Sequence, residues 1–234
     1  MSKKASSKKI YIAIILVAVL IIATVAVVYA NSHSSKSPKA QIASGLQVGD
    51  TFTYNLTGTS ILYSSDANPE SMQPGFDGLN NTAFTITITN VNDTIVSYNS
   101  VMLLSNGTSS QYSSWVNISS GITNKPGDFW GIFPANLTID ALVNPDNPSG
   151  PTVYDVGNQS YSDSYRETAT FNVAQNQTDT NDPTGNTMRQ EIDNIQFDQA
   201  TGMLTWLQDI NEYNNPGMTL TTTWQLVYTS VWKV

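Results

Sequence analysis

From residue 46 onward apolar positions recur every second residue, the period of a strand with one buried and one wet face. In 51–57, Phe52, Tyr54 and Leu56 alternate with Thr51, Thr53, Asn55 and Thr57. Residues 83–89 repeat the pattern, with Phe84, Ile86 and Ile88 inward and Thr85, Thr87 and Thr89 outward. Asn90-Val-Asn-Asp93 reads as a turn before a return strand over 94–104. Asn106-Gly107 is a type I′ hairpin signal leading into a strand over 109–118.

Five prolines (Pro126, Pro134, Pro145, Pro148 and Pro151) then break 122–151 into loops around the apolar patch Phe129-Trp-Gly-Ile-Phe133. That patch admits two readings, a short helix or a plug closing one end of a sheet. Strands resume near Val153 and over 165–174, followed by a polar loop at 175–186 and a strand over 188–197. The turn 198–202 places Gly202 where a positive φ is needed. Residues 203–213 form the next strand. The last, over 219–231, sets Leu220, Thr222, Trp224, Leu226 and Tyr228 on one face. No stretch of comparable length carries a helical period. Eight or nine strands joined by short turns predict an antiparallel meander around one core.

A different pattern precedes the strands. Residues 10–30, IYIAIILVAVLIIATVAVVYA, contain no charge, Pro or Gly. About twenty helical residues span roughly 30 Å, the thickness of a bilayer hydrocarbon core. Four lysines precede the run, so the positive-inside rule places residues 1–9 in the cytoplasm and the bulk of the chain outside. Residues 31–45 then read as a flexible Ser/Lys-rich linker, and 46–234 as an extracellular β domain. Two rival readings stand beside this single-pass anchor. Val28 and Ala30 satisfy the small-residue rule for signal-peptide cleavage after Ala30. A pilin-type signal, cut before the apolar run, would make the chain a filament or surface-lattice subunit.

Charge sharpens the topology. Beyond residue 40 the basic residues are Lys125, Arg166, Arg189 and Lys233 against all 18 acids, so the β domain carries about −14. That field repels phosphates and makes nucleic acid a poor partner. Charged residues make up only 12% of the chain, with Ser, Thr and Asn in their place, a composition common in extracellular β proteins. The chain has no cysteine. Thiolate metal sites, thiol nucleophiles and a lipidated anchor are thereby removed, and the helix is left as the membrane attachment.

Val48-Gly49-Asp50-Thr51-Phe52-Thr53-Tyr54, Ile132-Phe-Pro-Ala-Asn-Leu137 and Phe197-Asp-Gln-Ala-Thr-Gly-Met-Leu204 resemble segments of uncharacterised archaeal membrane-anchored surface proteins. Their β domain is similar to the curved half-barrels of bacterial lipoprotein carriers. The resemblance implies a mostly β fold, a curved antiparallel sheet (half-barrel or sandwich-like) after one transmembrane helix, with something apolar on its concave face. It carries over no catalytic residues, and the long helix in place of a lipidated cysteine departs from the carrier pattern.

Candidate chemistry is sparse. N-x-S/T sequons at Asn55, Asn80, Asn92, Asn106, Asn117, Asn136, Asn158 and Asn176 are candidate glycosylation sites. His33, the only histidine, falls in the linker, so histidine triads and multi-histidine metal sites are excluded within this chain. Glu167, Glu191, Asp193 and Asp198 are the carboxylates a glycosidase would draw on. Strand parity puts Glu191 and Asp193 on one face, which reads as a solvated one. Asp179-x-Asn181-Asp182-x-x-Gly185 is an imperfect calcium loop, with Pro183 at a ligand position and no closing Glu. Trp206 and Trp224 read as core, and Trp130 as the exposed tryptophan. The expectation is a non-enzymatic structural or ligand-binding surface protein with no cofactor and no metal. Phe129, Trp130 and Phe133 are the candidate contacts for an apolar or glycan ligand.

Overall fold

The computed structural model describes residues 44–80, 82–104, 106–162, 164–178 and 185–234. The predicted tail at 1–9, the apolar run at 10–30, nearly all of the linker with His33, and the acidic part of the 179–185 loop lie outside them. Among the described residues no helix is long and apolar enough to cross a membrane.

Ten strands form: β1 (Thr51–Leu62), β2 (Thr82–Asn92), β3 (Ile95–Leu103), β4 (Ser109–Asn117), β5 (Ile122–Thr123), β6 (Asp155–Ser160), β7 (Tyr165–Thr178), β8 (Met188–Asp198), β9 (Leu204–Asn214) and β10 (Gly217–Thr229). They make one sheet in the order β5-β4-β3-β2-β1-β10-β9-β8-β7-β6, antiparallel throughout. The first and last strands pair at the centre, and each starts an arm that steps outward hairpin by hairpin. The sheet stays open, with β5 and β6 as its outer edges. The strand total exceeds the expectation because two-residue β5 is too short to carry a period.

The alternation predicted for β1 and β2 holds. Phe52, Tyr54, Leu56, Phe84, Ile86 and Ile88 are all buried. On the opposite face, threonine hydroxyls pair across the strands, Thr51 with Thr87 at 3.3 Å and Thr53 with Thr85 at 3.0 Å.

Residues 124–154 connect one edge of the sheet to the other by running over its buried face. Phe129 lies 6.1 Å from the Tyr98 ring on β3, while Phe133 lies 5.2 Å from Phe171 on β7. In a flat sheet those strands would be about 29 Å apart at six inter-strand spacings. The four backbone steps from Phe129 to Phe133 extend no more than about 14 Å. Both contacts are met because the sheet curls around the segment. The patch is therefore a plug on the concave face, with no helix in it.

Gly202 makes this approach possible. It sits at φ 75°, as the turn requires, and a Cβ there would lie 1.9 Å from the Phe133 carbonyl oxygen. Phe133 N–H donates to Gly202 O at 2.8 Å and Leu204 N–H to Gly131 O at 3.0 Å, stitching the plug to the β8–β9 turn.

A second excursion, 63–80, covers another part of the concave face. Its helix α1 (Pro69–Met72) is one turn long, capped by the Asn68 side chain with Pro69 at its start, and a 3-10 turn follows over Phe76–Gly78. Met72 and Phe76 pack with Tyr213, Met218 and Leu220. Phe76 rests on β1, where a Cβ on Gly58 would meet its ring at 3.1 Å.

Local geometry corrects three expectations. The 104–108 turn puts Gly107 at φ 82° but not Asn106 in the left-handed region, so it is not type I′. Leu104 N–H instead donates to Thr108 O at 2.9 Å, closing a longer loop. Tyr228 does not share the face of Leu226. The β1–β10 register slips between Thr53 and Tyr54, and Tyr228 turns out to 55% exposure. Trp206 pairs with Gln196 and Gln225 on the outer face instead of joining the core.

Candidate functional site

The concave face is divided between an aromatic end and a polar row. At the aromatic end, Phe129 contacts Tyr54, Phe84, Tyr98 and Trp224, with ring centroids 5.7 to 6.1 Å apart. Two buried tyrosine hydroxyls hold the arrangement: Tyr98 donates to Phe129 O at 2.9 Å and Tyr54 to Leu204 O at 2.9 Å. Burial raises the pKa of both, so each keeps its proton as a donor.

Beside this cluster lies a cavity of about 210 Å³. Phe84, Met102, Tyr112, Leu207 and Trp224 contribute its apolar wall, and the 127–131 stretch of the plug forms its cover. Asp128 is the acid in the lining. It is spoken for, accepting from the Ser114 hydroxyl and from Lys125 N–H at 3.0 Å. Of the three predicted contact residues, Phe129 and Trp130 line the cavity. Phe133 does not: it is 3% exposed and wedged between Phe171 and Phe197 as core.

The polar row begins one step along the same strands. Leu207 of β9 and Ile195 of β8 face each other under the plug, and two residues further Asp209 faces Asp193. Thr222 of β10 lies opposite Asp209, and Val173 of β7 opposite Asp193. Glu191 is next along β8, opposite Asn211. The parity that groups Glu191 with Asp193 is thus right, but that face is the concave one, because Ile195 and Phe197 share it.

Carboxylate oxygens of Glu191, Asp193 and Asp209 lie within 4.8 Å of one another. Burial first, then the charges of Asp209 and Glu191, push Asp193 up to about 7. Burial, then Glu191, push Asp209 up to about 6. Arg189 offsets part of this: its Nη2 donates to Glu191 Oε2 at 2.7 Å, an oxygen that Gln177 Nε2 also reaches at 2.5 Å.

The other predicted carboxylates are elsewhere. Asp198 is fully buried and bound by Arg166, Nε to Oδ2 and Nη2 to Oδ1 both at 2.8 Å. It also accepts from Thr201 N–H and hydroxyl, and Arg166 stacks 4.4 Å over Trp232. Asp198 locks its turn, and Glu167 lies exposed on β7 opposite Asn158. Asp209 was the functional candidate missed in the sequence, though it shares the parity of Leu207 and Tyr213. A glycosidase needs its carboxyls about 5 Å apart or more, across a sugar. This cluster is closer-set, on neighbouring strands of one face.

The sequons also separate. Asn80, Asn92, Asn106, Asn136, Asn158 and Asn176 are exposed, while Asn55 and Asn117 are half-buried. The Asn117 side chain accepts from Ser119 N–H at 3.0 Å and from its hydroxyl at 2.9 Å.

Fold and site together define an open, curled antiparallel β domain whose concave face carries two stretches of its own chain, a small apolar cavity and an acidic row. Comparison with protein-family models and with curated proteins gives no match.

Proposed function

We propose that the chain is a non-enzymatic, membrane-anchored cell-surface protein whose β domain binds one small apolar ligand in the cavity beside Trp130. The cavity carries the binding half of this reading. At about 210 Å³ it exceeds an engineered 150 Å³ apolar cavity that takes up benzene, yet falls short of the roughly 300–1,000 Å³ of drug-sized pockets. One ring with a few further carbons fits. A long acyl chain does not, since the plug packs on the aromatic end of the concave face beside it. The anchoring half rests on the uncharged run at 10–30 and its lysine flank, and the six exposed sequons suit glycans on an exported surface.

A naphthalene-sized fluorescent probe titrated into detergent-solubilised full chain tests the binding half. Saturable quenching of tryptophan emission is expected, and its loss in Leu207→Trp, which fills the cavity. Linear, unsaturable quenching in the wild type would end this reading. For the anchor, alkaline carbonate should leave the chain in the membrane pellet, and a mature N-terminus at Asn31 would refute it.

A further inference from the structure

Three carboxylates and one guanidinium meet in the polar row, a net charge of −2 when all three acids are ionised, on a face that the rest of the fold keeps apolar. Like charges opposite each other on adjacent strands oppose folding unless something neutralises them. From the neighbouring strands the row receives Val173 and Gln175 on β7 and Thr222 and Leu220 on β10, none of them charged. Among the described residues the compensation therefore stops at Arg189.

Two oxygens beside the carboxylates lack partners. Asn211 is 3% exposed, and its Nδ2 donates to Asp209 Oδ1 at 2.7 Å, so its amide lies against the cluster. Its Oδ1 is buried with no hydrogen-bond donor. Thr222 is 5% exposed, stands opposite Asp209, and its Oγ1 is likewise buried without a partner. Arg189 Nε, at the rim, is also unpaired. A water would satisfy an orphaned oxygen but bring no charge. A cation does both.

We infer that Glu191, Asp193 and Asp209, with the amide oxygen of Asn211 and the hydroxyl of Thr222, form a binding site for one divalent cation, calcium in preference to magnesium. The donors are all oxygen, which selects a hard ion over zinc or copper. Carboxylate oxygens within 4.8 Å of one another can all reach one ion at about 2.4 Å, the calcium distance. Magnesium keeps several of its waters and is held by one or two carboxylates, whereas five protein oxygens suit the larger, more flexible shell of calcium. The net −2 is the complement of a divalent charge. This site is separate from the apolar cavity and does not rest on the binding reading above.

The test is calorimetric titration of calcium, and separately magnesium, into the full chain in detergent after chelator treatment, with a melting curve at each concentration. Wild type should bind one calcium per chain with a Kd of about 0.1–1 mM, the range of weak sites, and melt higher with calcium. Asp193→Asn/Asp209→Asn should lose at least about tenfold in affinity. That variant removes the repulsion and keeps the shape, so it folds, and its melting in chelator serves as the control. No heat and no melting shift in the wild type overturns the inference. So does calcium binding that survives in the double variant, which would place the ion elsewhere, and so does a response to magnesium alone.

Discussion

Two stretches of the same strands, one step apart, face the same concavity with opposite chemistry. Under the plug, Trp224, Leu207, Ile195 and Phe171 form a continuous apolar row across β10, β9, β8 and β7. Two residues along, Thr222, Asp209, Asp193 and Val173 occupy the equivalent places. A core alone would have continued the apolar row, because an inward carboxylate adds desolvation and, opposite another, repulsion. Both excursions of the chain keep to apolar ground: the plug sits on the aromatic end and the 63–80 cover on Tyr213, Met218 and Leu220. The polar row between them is where the sheet gives up stability, and it is there that a ligand charge has a use.

The comparison breaks first, and hardest, at Phe129. It is 7% exposed and touches four aromatic rings from both arms. Phe129→Ala should cost about 3–5 kcal/mol, as large-to-small changes in aromatic cores do. Chemical denaturation of the full chain measures it. A loss below about 1 kcal/mol would mean the plug is not part of the core.

Asp198 shows what a buried acid looks like when the chain supplies its own counterion. Its side chain is 1% exposed with Arg166 paired to it. Arg166→Met strands that carboxylate and should destabilise by about 3 kcal/mol, since breaking a buried pair leaves an uncompensated charge. If the variant is as stable as the wild type, the contrast with Asp193 and Asp209 disappears.

Those two carboxylates give the third effect. Their folded-state pKa values, about 7 and about 6, lie above the ordinary 3.8. A raised carboxylate pKa stabilises the fold fully below about pH 4, and that contribution is lost as pH rises through 6 to 7. In chelator the protein should therefore be about 2 kcal/mol less stable at pH 8 than at pH 5, after discounting for the water that still reaches both groups. Asp193→Asn should flatten most of that slope. Calcium should reverse it, because the ion binds the deprotonated form. A slope that is the same in Asp193→Asn would assign it to other groups.

How much of this the sequence carried depends on range. Alternation located β1, β2, β8, β9 and β10 to within a few residues, because a half-buried strand writes its face into its own residues. It missed β5, which is two residues long and paired by its neighbour's backbone, and it misjudged Tyr228, because a bulge resets parity without a local mark. Glu191 and Asp193 were read as a solvated face since their strand alone has apolar residues on both sides, Ile192 as well as Ile195. Only the pairing with Leu207 and Asp209 shows which side faces in. The plug was legible as an apolar patch between prolines. Its place across the sheet was not, being set by contacts more than thirty residues away in either direction.

The smallest effect separates neighbours within the plug itself. Trp130 follows Phe129 directly, yet it is 38% exposed and its ring contact is with Phe133 at 6.1 Å. Trp130→Ala removes a larger side chain than Phe129→Ala but should cost only about 1 kcal/mol, because the part lost was already in water and leaves no sealed cavity. What it should change is access: Trp130 lines the 210 Å³ space that Phe129 also bounds. Probe binding should weaken by about tenfold, equivalent to roughly 1.4 kcal/mol, while the melting temperature stays within a few degrees of wild type. Equal losses of stability at both positions would make the plug uniform core. Unchanged probe affinity would remove Trp130 from the site and leave the cavity walled by the sheet alone.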